Sequence, residues 1–314
     1  MNPKYILFIL TINLISFSLS SQDVWSPKEL MKIKSINQTD ISNDGKYIAY
    51  VVREAIMTDK KSEFLSQIWV SNTGGSQSIQ YTFNEKSSTS PKFSPDGNKI
   101  AFLSSRSGKN QIWIMNTLGG EAKKLTDEKK GVRSIKWSPD GNNISFLKND
   151  NDTEEETKSK KNKTDVILVD KNFKYSHIYS YNLNYDSVTQ ITKGNFSVNN
   201  FDYSPKGERM IFSHQDDTNI NTGFVNTDIS LIESDGSNMK NIISRPGLDS
   251  NPIFSGDGNK FAFISSGGRQ ESIGLRDVYI YDLENQKTIK LSDTPNRDSN
   301  IISWSSDNKM VIIS

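Results

Sequence analysis

The sequence predicts an all-β protein, a β-propeller of four-stranded blades with about five and a half blades present and the ring incomplete. Three observations carry that expectation. One turn motif recurs six times, each copy is followed by the same order of strand-like runs, and the interval between copies is that of a propeller blade. Aligned on the motif, the chain reads ISNDGKYIAY from Ile41, FSPDGNKIAF from Phe93 and WSPDGNNISF from Trp137. It continues with YSPKGERMIF from Tyr203, FSGDGNKFAF from Phe254 and WSSDNKMVII from Trp304. The turn residues Gly45, Gly97, Gly141, Gly207, Gly258 and Asn308 are spaced by 52, 44, 66, 51 and 50 positions.

The turn follows from its residues. Proline presets φ at the first central position, aspartate bonds back to the local backbone, and glycine takes the positive φ that other residues resist. Asn308 is the common substitute that tolerates the left-handed region. The residue before each turn is Ile, Phe, Trp or Tyr and an apolar run such as Lys99–Leu103 follows it, so each copy reads as a hairpin.

Two further strands complete each repeat. In the second copy Gln111–Met115 forms one, and a Gly119-Gly120 turn leads to the other at Ala122–Thr126. The order recurs as QIWVSNTGG, HIYSYNL, DISLIESDG and DVYIYDL. These third strands are apolar or aromatic on both faces, as expected of sheets stacked between neighbouring blades. Blades are expected near 36–83, 86–127, 131–192, 195–244 and 248–292, with part of a sixth over 298–314. An ordinary β-sandwich would not repeat its turn chemistry in this way. Because propellers hide strand edges by closing the ring, the chain is expected to be truncated.

Residues 1–20 read as a cleavable signal peptide. Lys4 supplies the positive end, and Tyr5–Leu19 is mostly apolar but interrupted by Thr11, Asn13 and Ser16. Ser18 and Ser20 stand at the small-residue positions before a cleavage site. The stretch falls short of the roughly 18–20 residues that span a bilayer, which favours a signal over a membrane anchor. A mature chain starting near Ser21, secreted or periplasmic and without a membrane span, is the expectation. Ser26-Pro27-Lys28-Glu29 has the form of a capping box and predicts a lead-in helix within 21–35, running through Leu30 and Ile33, with no separate domain before the propeller.

Composition excludes several functions. The chain of 314 residues is 34% hydrophobic and 24% charged, with a net charge of +1, so neither nucleic acid nor an anionic membrane is an expected partner. The absence of cysteine removes disulfides, thiolate metal sites and cysteine nucleophiles. His177 and His214 are the only histidines, too few for a histidine-rich metal centre, and no cofactor is expected. The sequence contains no G-x-S-x-G elbow, Gly-rich phosphate loop or H-E-x-x-H helix, so no catalytic residue is assigned.

The candidate binding regions are the long connections between second and third strands: Arg53–Ser66, Asn149–Ser176, Gln215–Asn226 and Gly267–Arg276. They occupy one place in the blade, which sets them on one face of the ring, where propellers put binding functions. The longest holds Asp150–Lys163, an acidic block followed by a basic one, read as a solvated, mobile loop. The sharper alternative makes Glu154, Glu155 and Glu156 anchors for a peptide amine. His177 precedes a third strand and is expected to pack or cap there, and His214 closes a second strand within reach of a loop carbonyl. Trp69, Trp113, Trp137 and Trp304 fall at repeat core positions, which makes them structural rather than a sugar platform.

WSPKELMKI leading into ISNDGKYIAYVV, then DVILVDKNFKYSHIYSY, TGFVNTDISLI, PGLDSNPIFSGDGNKFAF, GLRDVYIYDL and TPNRDSNIISW carry a family resemblance. From about Val24 to Ser314 the chain resembles the N-terminal propeller of secreted prolyl oligopeptidase family serine peptidases, in the branch of acylaminoacyl peptidases and bacterial dipeptidyl peptidases. The general SPDG, IAF, IW, GGE and LT pattern is shared with TolB-like propellers. The resemblance implies a lid over a C-terminal α/β-hydrolase domain that holds a Ser-Asp-His triad and takes short peptides. That domain is missing here, so no triad residue is carried over. The glutamate motif that holds a peptide N-terminus in some members matches no segment, and the substrate-binding residues stay unassigned. The expected function is substrate gating for a secreted serine oligopeptidase or exopeptidase, with this chain alone inactive. The alternative is a stand-alone periplasmic TolB-like propeller that binds proteins, although such proteins carry an α/β domain before the propeller. A carbohydrate- or surface-binding propeller is a third reading, resting only on the loops.

Overall fold

The computed structural model describes residues 26–166, 172–216, 219, 225–270, 274–291 and 298–314. The expected signal peptide lies outside them. Blade 1 consists of strands Ser35–Ile41, Tyr47–Thr58, Lys61–Asn72 and Ser78–Gln80. Blade 2 consists of Ser88–Phe93, Lys99–Ser104, Gln111–Asn116 and Lys123–Lys124, and blade 3 of Arg133–Trp137, Asn143–Asn149, Ser176–Asn182 and Ser187–Gln190. Blade 4 contains Ser197–Tyr203, Arg209–Gln215, Asn226–Glu233 and Lys240–Ile243, and blade 5 contains Gly247–Phe254, Lys260–Ser265, Asp277–Asp282 and Lys287–Lys290. Ile301–Trp304 then pairs with Val311–Ile313. Within each blade the strands are antiparallel in chain order, the all-β propeller pattern that the repeat predicted. First strands of blades 1 and 2, 2 and 3, and 4 and 5 touch, so the first strands line the axis and the fourth lie outside. Among the described residues no helix is long and apolar enough to cross a membrane.

The turns use one more residue than the sequence pattern singled out. Ser94 O accepts the Gly97 N–H at 2.8 Å, and the Ser94 N–H returns to Lys99 O at 2.8 Å. The Ser94 hydroxyl donates to Asp96 and accepts the Lys99 N–H at 2.9 Å, while the carboxylate accepts the Asn98 N–H at 3.1 Å. The serine-to-aspartate bond recurs at Ser42/Asp44, Ser138/Asp140, Ser255/Asp257 and Ser305/Asp307. Bonds from the serine hydroxyl and the nearby N–H favour the charged carboxylate, holding Asp44 down at about 2 and shifting Asp96 and Asp257 the same way. Glycine is demanded twice at Gly207. Its φ is +75°, and a Cβ there would lie 3.1 Å from Cδ of Pro139 in the turn of the preceding blade.

Side chains lace neighbouring blades along the axis. Asp40 of blade 1 holds Lys92 at 2.7 Å and the Phe93 N–H at 2.8 Å in blade 2. Asp202 of blade 4 holds Lys136 of blade 3 at 2.6 Å and the Phe254 N–H of blade 5 at 3.0 Å. Trp137 and Trp304 each donate the indole N–H to a first-strand carbonyl of an adjacent blade, Lys92 O and Ile253 O, at 3.0 Å. Each first strand also carries a bulge, and at Gln38, Ser90, Ser134 and Asn251 the bulge takes a positive φ of 50–54°.

Three expectations are corrected. The strands buried on both faces are the second ones, with Ile100–Ser104 and Met210–His214 wholly buried, whereas third strands mix buried and half-buried positions. Blades radiate from the axis, so the gap between sheets widens outward and the third strand is partly wetted. The connection Arg53–Ser66 is no loop: the second and third strands of blade 1 stay paired out to Thr58 and Lys61. The lead-in helix spans Pro27–Met31 and stops short of Ile33. Only half of its capping box forms, because Ser26 accepts the Glu29 N–H at 3.2 Å but the Glu29 carboxylate turns to Lys32.

Blades 4 and 5 are joined more tightly than the others. Asn226 and Thr227 pair in parallel with Gly247 and Leu248, merging the two blades into one sheet. Thr227 Oγ1 accepts the Asp249 N–H at 3.0 Å and donates to Asp249 O at 2.9 Å.

Candidate functional site

Antiparallel alternation puts the connections between second and third strands at the end of the blades opposite the Ser-Pro-Asp-Gly turns. At that end a clasp closes each of the first four blades. Thr82 Oγ1 accepts the Ile68 N–H at 2.9 Å and donates to Gln67 Oε1 at 2.6 Å. Thr126 does the same with Ile112 and Gln111, and Thr192 with Ile178 and His177. In blade 4 Ser244 donates to Asp228 at 2.9 Å. His177 thus replaces a repeat glutamine, and its ring meets Phe196 edge-on at 5.4 Å.

Cations cover the aromatic rings of this face. Arg106 lies 4.6 Å from the Trp113 ring and bonds Ser104 and Ser88. Lys148 lies 4.1 Å from Tyr179 and pairs with Glu128 at 2.8 Å. Arg245 sits 5.3 Å from Tyr279, and Arg53 sits 3.7 Å from Phe64 in the long hairpin. Lys109, Lys130, Arg133 and Lys148 gather around a cavity of about 300 Å³ beside Gly131 and Val132.

The charged segment beyond blade 3's second strand is a helix, Glu154–Asn162, where a solvated loop was expected. Thr153 and Glu156 form a complete capping box, three glutamates occupy the first turn, and Lys160 and Lys161 the last. No residue of this helix is buried. Asp152 holds Lys130 at 2.5 Å and Lys160 at 3.0 Å, while Glu156 holds Lys174 at 2.7 Å. Of the three glutamates considered as amine anchors, Glu156 is therefore committed to the cap and to Lys174, and Glu154 and Glu155 remain exposed.

His214 sits in an arrangement that imitates a catalytic triad. Its Nε2 lies 2.8 Å from Ser230 Oγ, and its Nδ1 lies 3.7 Å from Asp216. Ser230, however, is fully buried and gives its hydroxyl proton to Asn241 Oδ1 at 2.5 Å, so no substrate carbonyl can reach it. The histidine then donates from Nε2, leaving Nδ1 buried and unpaired. This is a packing network of blade 4. Trp69, Trp113, Trp137 and Trp304 are half-buried third- or first-strand residues, with Trp113 and Trp137 packed into the blade seams. Among the described residues no cluster of three or more His, Asp or Glu is placed to hold a metal ion.

Desolvation pushes both histidines below the usual 6.5, against the opposing pull of Asp228 and Asp216 on His214 and of Asp150 on His177. The unfolded chain therefore takes up these protons at a higher pH than the folded one. Stability is fully present above about pH 6.5 and declines as pH falls below it. The turn aspartates, with depressed folded values, add a second loss below their usual 3.8, ending for Asp44 near 2. The urea midpoint should fall in two stages on acidification, and His214→Gln should shrink the first. A midpoint that stays flat through and below pH 6.5 would contradict this.

Residues 64–172 match the family described as the Tricorn protease N-terminal beta propeller domain. The uncharacterized peptidase YuxL of Bacillus subtilis (strain 168) is 35% identical over 80 residues, a stretch covering 26% of this chain and 12% of that protein. The acylaminoacyl peptidase of Pyrococcus horikoshii superposes with a TM-score of 0.66 at 21% identity, over 89% of this chain and 43% of that one. A TolB structure from Agrobacterium tumefaciens gives a TM-score of 0.56 at 20% identity, over 82% of this chain and 80% of that one. The fold and these likenesses define a β-propeller related to the N-terminal propellers of peptidases. The chain spans less than half the length of the peptidases it resembles.

Proposed function

We propose that this chain is the substrate-admitting N-terminal propeller of a secreted or periplasmic serine oligopeptidase or exopeptidase of the acylaminoacyl or dipeptidyl peptidase type. In the whole protein a following α/β-hydrolase domain carries the nucleophile, and short peptides are the substrates. The observation that carries the reading is the match of residues 64–172 to a protease N-terminal propeller. The local identity with a bacterial peptidase supports it. The face opposite the Ser-Pro-Asp-Gly turns suits a chamber boundary, because it carries both basic side chains, Lys109 and Arg133, and exposed acidic ones, Glu154 and Glu155. A short zwitterionic peptide would find charges of both signs there.

The coding DNA beyond codon 314 provides the test, together with expression of the whole product. The expected result is a G-x-S-x-G motif with Asp and His downstream. A fluorophosphonate should label one serine in the whole product and none in residues 26–314 alone. A reading frame that ends without a hydrolase domain would overturn the proposal in favour of a TolB-like protein-binding propeller.

A further inference from the structure

On the turn face, between blades 3 and 4, lies a cavity of about 410 Å³ whose walls break the apolar rule of the repeat. In each blade the second and third strands present two central side chains toward the next blade. These are Ala49 and Val70 in blade 1, Ala101 and Ile114 in blade 2, Ile211 and Leu231 in blade 4, and Ala262 and Ile280 in blade 5. Blade 3 alone puts hydroxyls at both places, Ser145 and Ser180. Thr189 stands opposite Ser180, at a place held by Ile79 and Ile289 in blades 1 and 5 and by Lys123 and Lys240 in blades 2 and 4. Ser187 and Asn182 form the next pair on the same face.

The facing blade is matched to this polarity. Tyr203 precedes the fourth turn, at the place held by Phe93 and Phe254 elsewhere, and its hydroxyl meets Ser145 Oγ at 2.7 Å. Burial raises the Tyr203 pKa, so the phenol stays neutral and able to donate. The fourth turn is also the one where Lys206 replaces the usual aspartate. Replacing aliphatic groups by hydroxyls at these places forgoes apolar burial worth about 25 cal/mol per Å². The polar groups that result converge on an open cavity, the pattern of a small-molecule site.

We infer that this cleft is a binding site for a neutral sugar unit. Ser180, Ser187 and Thr189 supply short hydroxyl donors and acceptors at the spacing of strand side chains, which suits a ring bearing several hydroxyls, while Asn182 is held by Asn143 and by the Asn184 and Tyr185 N–H groups and shapes the wall. Tyr185 stands at the rim with 82% of its surface exposed, an aromatic face on which a pyranose can lie. The charge balance selects against anions: Asp140 and Asp235 line the cleft against the single cation Lys206. Both carboxylates already accept bonds from their own turns, which leaves the strand hydroxyls for the ligand.

The test titrates the purified chain with glucose, galactose, N-acetylglucosamine and their disaccharides, with galacturonate and sulfate as charged controls, followed by NMR and calorimetry. Saturable binding of at least one neutral sugar is expected. The double substitution Ser180→Val, Thr189→Ile restores residues used in other blades and should weaken binding by about tenfold or more while keeping or raising Tm. Tyr185→Ala, at an exposed position that cannot upset the fold, should weaken binding as well. Absence of saturable binding by any neutral sugar, affinity unchanged in Tyr185→Ala and the double variant, or preference for the charged controls would each overturn the inference.

Discussion

Replacing Arg245 with methionine is expected to destabilise the propeller by about 3–5 kcal/mol, because it strands a buried carboxylate. Asp249 is 1% exposed, and its two oxygens accept from Arg245 Nε at 3.2 Å and Nη2 at 3.0 Å. The same guanidinium donates to Ser265 at 2.7 Å and lies against the Phe263 and Tyr279 rings. Methionine retains some of that packing but none of the charge. Removing both charges together, in Arg245→Met with Asp249→Leu, should cost clearly less than Arg245→Met alone, since no uncompensated ion then remains. Urea midpoints at unchanged m-value give the comparison. A loss below about 1 kcal/mol for the single variant, the range of exposed ion pairs, would show that the pair contributes little.

Phe212→Ala should have an effect of similar size, about 3–5 kcal/mol, by a different route. Phe212 is fully buried in the seam of blades 3 and 4 with Leu147, Ile178 and Val198. Its ring stacks on Phe196 at 6.0 Å and lies 5.4 Å from His214. Truncation removes these contacts and leaves a cavity in a seam already thinned by Ser145 and Ser180. Ile302→Ala, at a residue 58% exposed, is the control and should stay within about 0.5 kcal/mol. Equal effects at the two positions would mean that the seam does not carry the stability assigned to it.

The propeller was legible because its signal is local and repeated. Turn chemistry at Ser94–Gly97 recurs in six places, and no single deviation such as Lys206 or Asn308 could hide it. The helix Glu154–Asn162 was missed although its capping box was written in the sequence, because a run with no apolar face carries no periodicity to find. The extended hairpin over Arg53–Ser66 was missed for a related reason. Pairing there is fixed by the strands continuing through the backbone rather than by buried side chains. The clasps were findable, since Gln67, Gln111 and His177 each precede a threonine by the same 15 positions. A hydroxyl bonding across strands leaves no hydrophobic pattern, however, and only superposed repeats show it. The polar seam belongs to the same class: Ser180 is unremarkable until Val70, Ile114 and Leu231 are set beside it.

The parallel bridge of Asn226 and Thr227 with Gly247 and Leu248 makes two blades one continuous sheet. Elsewhere in the described chain a blade is a unit that gene duplication can add or delete without cutting a ladder of backbone hydrogen bonds. At this junction the two blades share a two-residue ladder, so exchanging one blade without the other by a crossover between residues 233 and 247 would break backbone pairing as well as replace a linker.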